Sequence, residues 1–133
     1  MTEPPIASEQ FDAILPFLAL FDTKGYCYGG WHTPRGEFGY YSYSEDVSSF
    51  IQVLYKQGWV VSFDWPQWQE EAERLVESPT DLARADAATI RRLLTLHVRK
   101  DRFCEGHLAE MLKNGHILAL LYRLREIRDE VSY

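Results

Sequence analysis

Eleven consecutive positions carry nearly every kind of side chain that does chemistry: His97, Arg99, Lys100, Asp101, Arg102, Cys104, Glu105 and His107 lie between two imidazoles. Three of them are cations within four positions, Arg99, Lys100 and Arg102. Guanidinium forks, an ammonium point charge and a helix N-terminus together make a receptor for a phosphate or carboxylate. At helical spacing Arg91, Thr95 and Arg99 share a face, with Arg92 beside it, and Arg102 falls near the start of the following helix. Asp101 can cap that helix, which orders its first turn but occupies donors an anion would use. The expected site is therefore Arg99, Lys100 and Arg102, with Trp31 or Trp65 as an aromatic wall. Its expected ligand is a small anion, nucleotide-like ones included. The competing use of these cations is internal, in ion pairs with Glu70, Glu71, Glu73 and Glu77.

Other chemistries draw on the same run. Cys104 and His107 are three apart on a helical face and His97 precedes them, a zinc set that Glu105 or His32 would complete. That spacing matches no zinc signature, so neither metal nor cofactor is expected and the fold should stand without one. A cysteine–histidine nucleophile needs a partly exposed thiolate, whereas Cys104 lies on a core-facing stripe. A hydrolase reading uses His97, Glu105 and His107 as its polar set. Gly25, Gly29 and Gly30 lack phosphate-loop spacing, and Gly29-Gly30 suits a bent edge strand. Gly106 inside a helix costs about 1 kcal/mol against alanine and implies close approach by a helix or a ligand.

The chain around this segment bounds what it serves. Its 133 residues suit one domain over 1–133, and 46% apolar with 26% charged residues is globular rather than disordered. The net charge of −6 divides into −9 through Ala87, +5 from Ala88 to Arg128 and −2 from Asp129 and Glu130. An acidic whole is a poor duplex nucleic-acid binder. The acidic first half instead permits a protein-interaction role, of the immunity or antitoxin kind, against a basic partner. No apolar run reaches membrane-spanning length and the start lacks a secretion signal. With only two cysteines, Cys27 and Cys104, a reducing cytoplasm is expected.

The elements that position these residues follow from periodicity. Phe11, Ile14, Leu15, Leu18 and Phe21 recur as in a helix capped by Ser8 and kinked or restarted at Pro16. Alternation from Tyr26 to His32 and from Phe38 to Tyr43, about a turn of Thr33, Pro34, Arg35 and Gly36, predicts a β-hairpin. Ser44 caps a helix carrying Val47, Phe50, Ile51 and Leu54, which Gly58 ends. Trp59, Val61 and Phe63 alternate as a third strand. Asp64, Trp65 and Pro66 open an acidic helix with Trp68, Ala72 and Leu75 inward. After a break at Ser78-Pro79-Thr80, Asp86 caps a helix with Ile90, Leu93, Leu94 and His97 on one stripe. Asp101 starts another with Cys104, His107, Leu108 and Met111 inward. Asn114-Gly115 ends that helix, and Ile117, Leu120, Leu121, Leu124 and Ile127 mark a last one. The expected class is α+β, a small antiparallel sheet of hairpin plus third strand covered by helices, with an all-helical C-terminal half.

Several of these residues carry a resemblance. Phe63-Asp64-Trp65, Trp68-Gln69 and Glu71-Ala72 are followed by His97-Val98-Arg99-Lys100-Asp101-Arg102-Phe103-Cys104-Glu105-Gly106-His107-Leu108. Together with Gly115 and Leu121-Tyr122-Arg123-Leu124, they resemble an uncharacterised bacterial family, a domain of unknown function of about this length. The likeness covers most of the chain after the first helix and implies a single bacterial domain, with no activity to carry over.

Overall fold

A computed structural model describes residues 4–33, 35, 36 and 39–131. The first helix, Ser8–Ile14 (α1), yields at Leu15 to a second, Pro16–Phe21 (α2). Pro16 has no amide hydrogen to extend α1 and takes the first position of α2 instead. Strands Gly29–His32 (β1) and Tyr40–Tyr43 (β2) then pair antiparallel, Gly29 opposite Tyr43 and His32 opposite Tyr40. Gly29 has φ 146°, and a Cβ there would stand 2.1 Å from the Ser42 carbonyl oxygen. Only glycine fits that approach. Tyr26 and Tyr28, expected in the first strand, precede it and set their rings edge-on to Phe21. Of the expected turn and second strand, Pro34 and Phe38 lie outside the described residues.

Helix Glu45–Lys56 (α3) starts where Ser44 accepts the Val47 amide hydrogen at 3.3 Å, and it buries Val47, Phe50 and Leu54. The third strand expected over 59–63 does not form. Trp59 is fully buried, and its indole N–H donates to the Gln10 carbonyl at 2.8 Å. The neighbouring backbone turns to a helix: the Val61 N–H donates to Thr95 Oγ1 at 3.0 Å, and that hydroxyl lies 3.2 Å from the Trp59 carbonyl. The threonine oxygen thus accepts an amide hydrogen that a strand partner would otherwise have to meet, while its own hydrogen goes first to the Arg91 carbonyl, 2.8 Å away in the same helix.

A single 3-10 turn at Trp65–Trp68 leads into Gln69–Glu77 (α4), and Ser78 then caps the short Pro79–Leu82 (α5). Asp86 accepts the Thr89 amide hydrogen at 2.8 Å and starts Ala87–Asp101 (α6). His107–Lys113 (α7) and His116–Val131 (α8) complete the chain, separated by Gly115 at φ 86°. The core is a helical one, in which Ile90, Leu93 and Leu94 of α6 and Leu120, Leu121 and Leu124 of α8 are fully buried with Phe21, Phe50 and Trp59. Each such side chain contributes about 1.5–3 kcal/mol of burial. The fold is mostly helical with one two-stranded antiparallel sheet among the described residues. None of its described helices is long and apolar enough to cross a membrane.

The junction between α6 and α7 departs from the sequence reading. Asp101 is the last residue of α6, and α7 begins only at His107. Between them the amides of Arg102, Phe103 and Cys104 turn back to the Arg99 and Lys100 carbonyls. Gly106 sits just before α7 at φ 85°, a left-handed backbone, so it starts a helix rather than interrupting one. This turn leaves Cys104 exposed rather than on an inward stripe.

Candidate functional site

The junction presents three faces. On the first, the hairpin docks. Asp101 Oδ1 accepts the Tyr43 hydroxyl hydrogen at 2.5 Å and the Leu108 amide hydrogen at 3.0 Å, and the Tyr43 oxygen accepts from the Ala109 amide at 3.3 Å. Burial, with the Asp101 carboxylate beside it, pushes the Tyr43 phenol far above its ordinary range. Glu105 Oε1 accepts the Tyr41 amide hydrogen at 2.9 Å, tying down the β2 backbone. Trp31 packs over Gly106, where a Cβ would lie 2.9 Å from its ring. The first amides of α7, expected to receive an anion, are therefore already served by Asp101 and Tyr43. Asp101 does cap α7, but from the end of the preceding helix.

The second face is internal. His97 is buried, with Nδ1 lying 3.0 Å from His107 Nε2, and His116 sets its ring edge-on to His97 at 4.9 Å between centroids. Burial holds all three imidazoles below their usual range, His97 well below it and His116 at about 4. Of the two histidines expected on inward stripes, His97 is fully buried and His107 only half-buried. Both His97 Nε2 and His116 Nε2 are buried without a hydrogen-bond partner. The economical tautomer has His97 Nδ1–H donating to His107 Nε2, leaving His97 Nε2 as a bare acceptor instead of a buried N–H. Of the zinc set read from sequence, only the His97 and His107 rings come within hydrogen-bond distance of each other. Cys104 lies exposed, and His32 stacks on Tyr40 in the hairpin. Among the described residues no group of three or more His, Cys, Asp or Glu is placed to hold a metal ion.

The third face is a groove of about 330 Å³ between the 61–65 segment and the end of α6. Phe63, Trp65 and Phe103 wall it, Arg99 and Arg102 line it, and no carboxylate does. Trp65 and Phe103 lie 6.1 Å apart between centroids at 35°, and Phe103 is 78% exposed. The Arg99 guanidinium lies 5.6 Å from the Tyr55 ring centre, which steadies it without neutralising it. Among the described residues neither Arg99, Lys100 nor Arg102 makes an ion pair. The acidic helix looks elsewhere: Arg74 pairs with Glu71 and, at 2.5 Å, with Asp81.

The five residues read from sequence as one site thus divide. Arg99, Arg102 and Trp65 share the narrow groove. Lys100 and Trp31 line a wider one of about 720 Å³ together with Tyr41, Cys104, Glu105 and His107. The reason is helical: one residue turns a side chain by about 100°, so Lys100 cannot follow Arg99. Trp31 is held on the other side by its seat on Gly106. Glu105 and His107 of the hydrolase reading also meet in that wider groove, with His97 behind His107, but Glu105 is engaged with the Tyr41 backbone. Sequence reasoning missed Phe63, Phe103 and His116. An aromatic directly after Arg102 was the available signal for Phe103, whereas His116 reaches His97 only through the packing of α8.

No curated protein and no solved structure matches this chain. A family model does match it, over residues 6–130 and therefore nearly its whole length, and its description is a family of unknown function (DUF6508). The chain belongs to that family.

Proposed function

We propose that this protein binds a small anion bearing a flat face, nucleotide-like in character, in the groove lined by Arg99, Arg102, Trp65 and Phe103. One observation carries the reading: two guanidiniums without ion-pair partners share a carboxylate-free groove with an exposed aromatic wall. The C-terminal end of α6 favours cations there by itself, through its partial negative charge, but by only about 0.3–1 kcal/mol. That accounts for cations at the last turn and not for the aromatics opposite them. A guanidinium fork holds a phosphate or carboxylate bidentately, and an aromatic wall holds a ring by stacking. Lys100 and Trp31 lie outside this reading.

Thermal unfolding with adenosine monophosphate, set against inorganic phosphate, tests it. Ligand at a hundredfold excess over its dissociation constant stabilises the fold by about 2.7 kcal/mol. Adenosine monophosphate should raise the midpoint at lower concentration than phosphate does, and the variant carrying both Arg99→Gln and Arg102→Gln should lose the shift. A shift that survives in that variant, or none with either probe, overturns the proposal.

A further inference from the structure

We infer that this protein has a second binding site, a cavity of about 130 Å³ between α4, α6 and α7 that takes a small neutral ring compound whose hydroxyl donates to His97. No residue of that cavity lines the narrow groove, so the two sites stand or fall separately.

The cavity combines apolar walls with one unmet acceptor. Ala72 of α4, Leu96 of α6 and Met111 of α7 are buried around it, with Val76 half-buried beside them. His97 lines it as well and is only 1% exposed. Its Nδ1 is engaged by His107 at 3.0 Å, whereas its Nε2 is buried without a hydrogen-bond partner. A buried acceptor left unmet costs stability, and a guest that brings one donor recovers it. With Nδ1–H given to His107, the remaining nitrogen accepts, so the guest must carry an O–H or N–H.

Size and wall chemistry favour a ring over solvent. A water molecule takes about 30 Å³ of liquid volume and settles where about two to four polar partners meet it. Ala72, Val76 and Leu96 offer none. An apolar cavity of about 150 Å³ takes a benzene-sized guest, so about 130 Å³ admits one ring and little more. Met111 suits such a guest, because a thioether contacts aromatic edges favourably and its flexible chain fits itself to their shape.

The charges around the cavity select a neutral guest. Glu73, Glu77 and Lys100 are its more exposed members. Two carboxylates oppose an incoming anion and the ammonium opposes a cation. None of the three makes an ion pair among the described residues. Burial keeps His97 neutral, so it cannot balance a charge brought in beside it. An ionised guest would lose its water there and gain no counter-charge, whereas a neutral hydroxyl loses little and gains an acceptor.

Methionine-methyl spectra of the full chain, recorded during titration with phenol and separately with benzene, test the inference. The Met111 methyl should shift saturably with phenol, with a Kd of about 1 mM for so small a guest. Benzene should bind about tenfold more weakly, the difference one hydrogen bond makes. Ala72→Leu fills the cavity from the α4 wall while leaving both histidines in place, and it should abolish the phenol shift. Where that variant does not fold, phenol against benzene on the unaltered chain decides. Equal affinity for the two compounds overturns the inference. So does a phenol shift that survives in folded Ala72→Leu protein, or the lack of any saturable shift at Met111.

Discussion

Arg99 and Arg102 face a groove with aromatic walls and no carboxylate, while Asp101 and Glu105, interleaved with them, face the hairpin and are engaged by Tyr43 and the Tyr41 backbone. Side chains of similar polarity along one short turn thus have opposite uses. On the hairpin side both carboxylates have protein partners and Trp31 is seated on Gly106. On the groove side Arg99 and Arg102 make no ion pair among the described residues and Phe103 is open. Density of functional groups in a sequence is therefore not itself a site, because half of the density here holds the fold together. The useful distinction is whether a charge has been matched inside the molecule.

The largest expected effect concerns the histidines behind the junction, which pack in the interior rather than in the narrow groove. A histidine whose folded pKa lies below its ordinary value contributes in full above about pH 6.5 and loses that contribution as pH falls toward the folded value. His116 sits at about 4, so acidification across that window should remove roughly 3 kcal/mol through this residue alone. Urea midpoints from pH 7.5 to 4.5 should show that decline, and His116→Gln should flatten it. A flat wild-type profile down to pH 5 would mean the trio is not buried as described.

Removing Asp101 should come next. Asp101→Ala leaves the Tyr43 hydroxyl and the Leu108 amide without their acceptor, at a cost of about 2–3 kcal/mol in urea unfolding. A loss below half a kilocalorie would put Asp101 on the same footing as the groove cations and erase the contrast. Gly106→Ala should cost less, about 1–2 kcal/mol, for placing a side chain at a left-handed backbone position against Trp31. At the small end, Arg99→Gln with Arg102→Gln should change stability by no more than about 0.5 kcal/mol. A strong destabilisation by that pair would show that the arginines are structural after all.

Much of the scaffold was legible in the sequence. The break at Pro16, the cap at Ser44, the cap at Asp86 and the stripes of α6 and α8 all follow from local rules, and the structure keeps them. The failures share a physical cause. Trp59, Val61 and Phe63 alternate like a strand, but Thr95 from a distant helix satisfies the backbone there, and no local pattern encodes that partner. Asp101 read as a sequential cap, yet it reaches α7 across a turn that Gly106 makes possible. The basic cluster was legible as a cluster, but its division between two grooves was not. That division depends on where the hairpin docks, and Tyr43 with Trp31 decides it.

The two grooves each hold one tryptophan, Trp65 in the narrow one and Trp31 in the wider, while Trp59 is buried in the core. Their indole N–H resonances offer the most direct test of the central claim that the unmatched side is the one that binds. Titration with adenosine monophosphate, followed by nitrogen–proton correlation spectra, should move the Trp65 indole and leave those of Trp31 and Trp59 in place. Movement of the Trp31 indole with Trp65 unchanged would contradict the account and place the ligand beside Lys100 and Cys104.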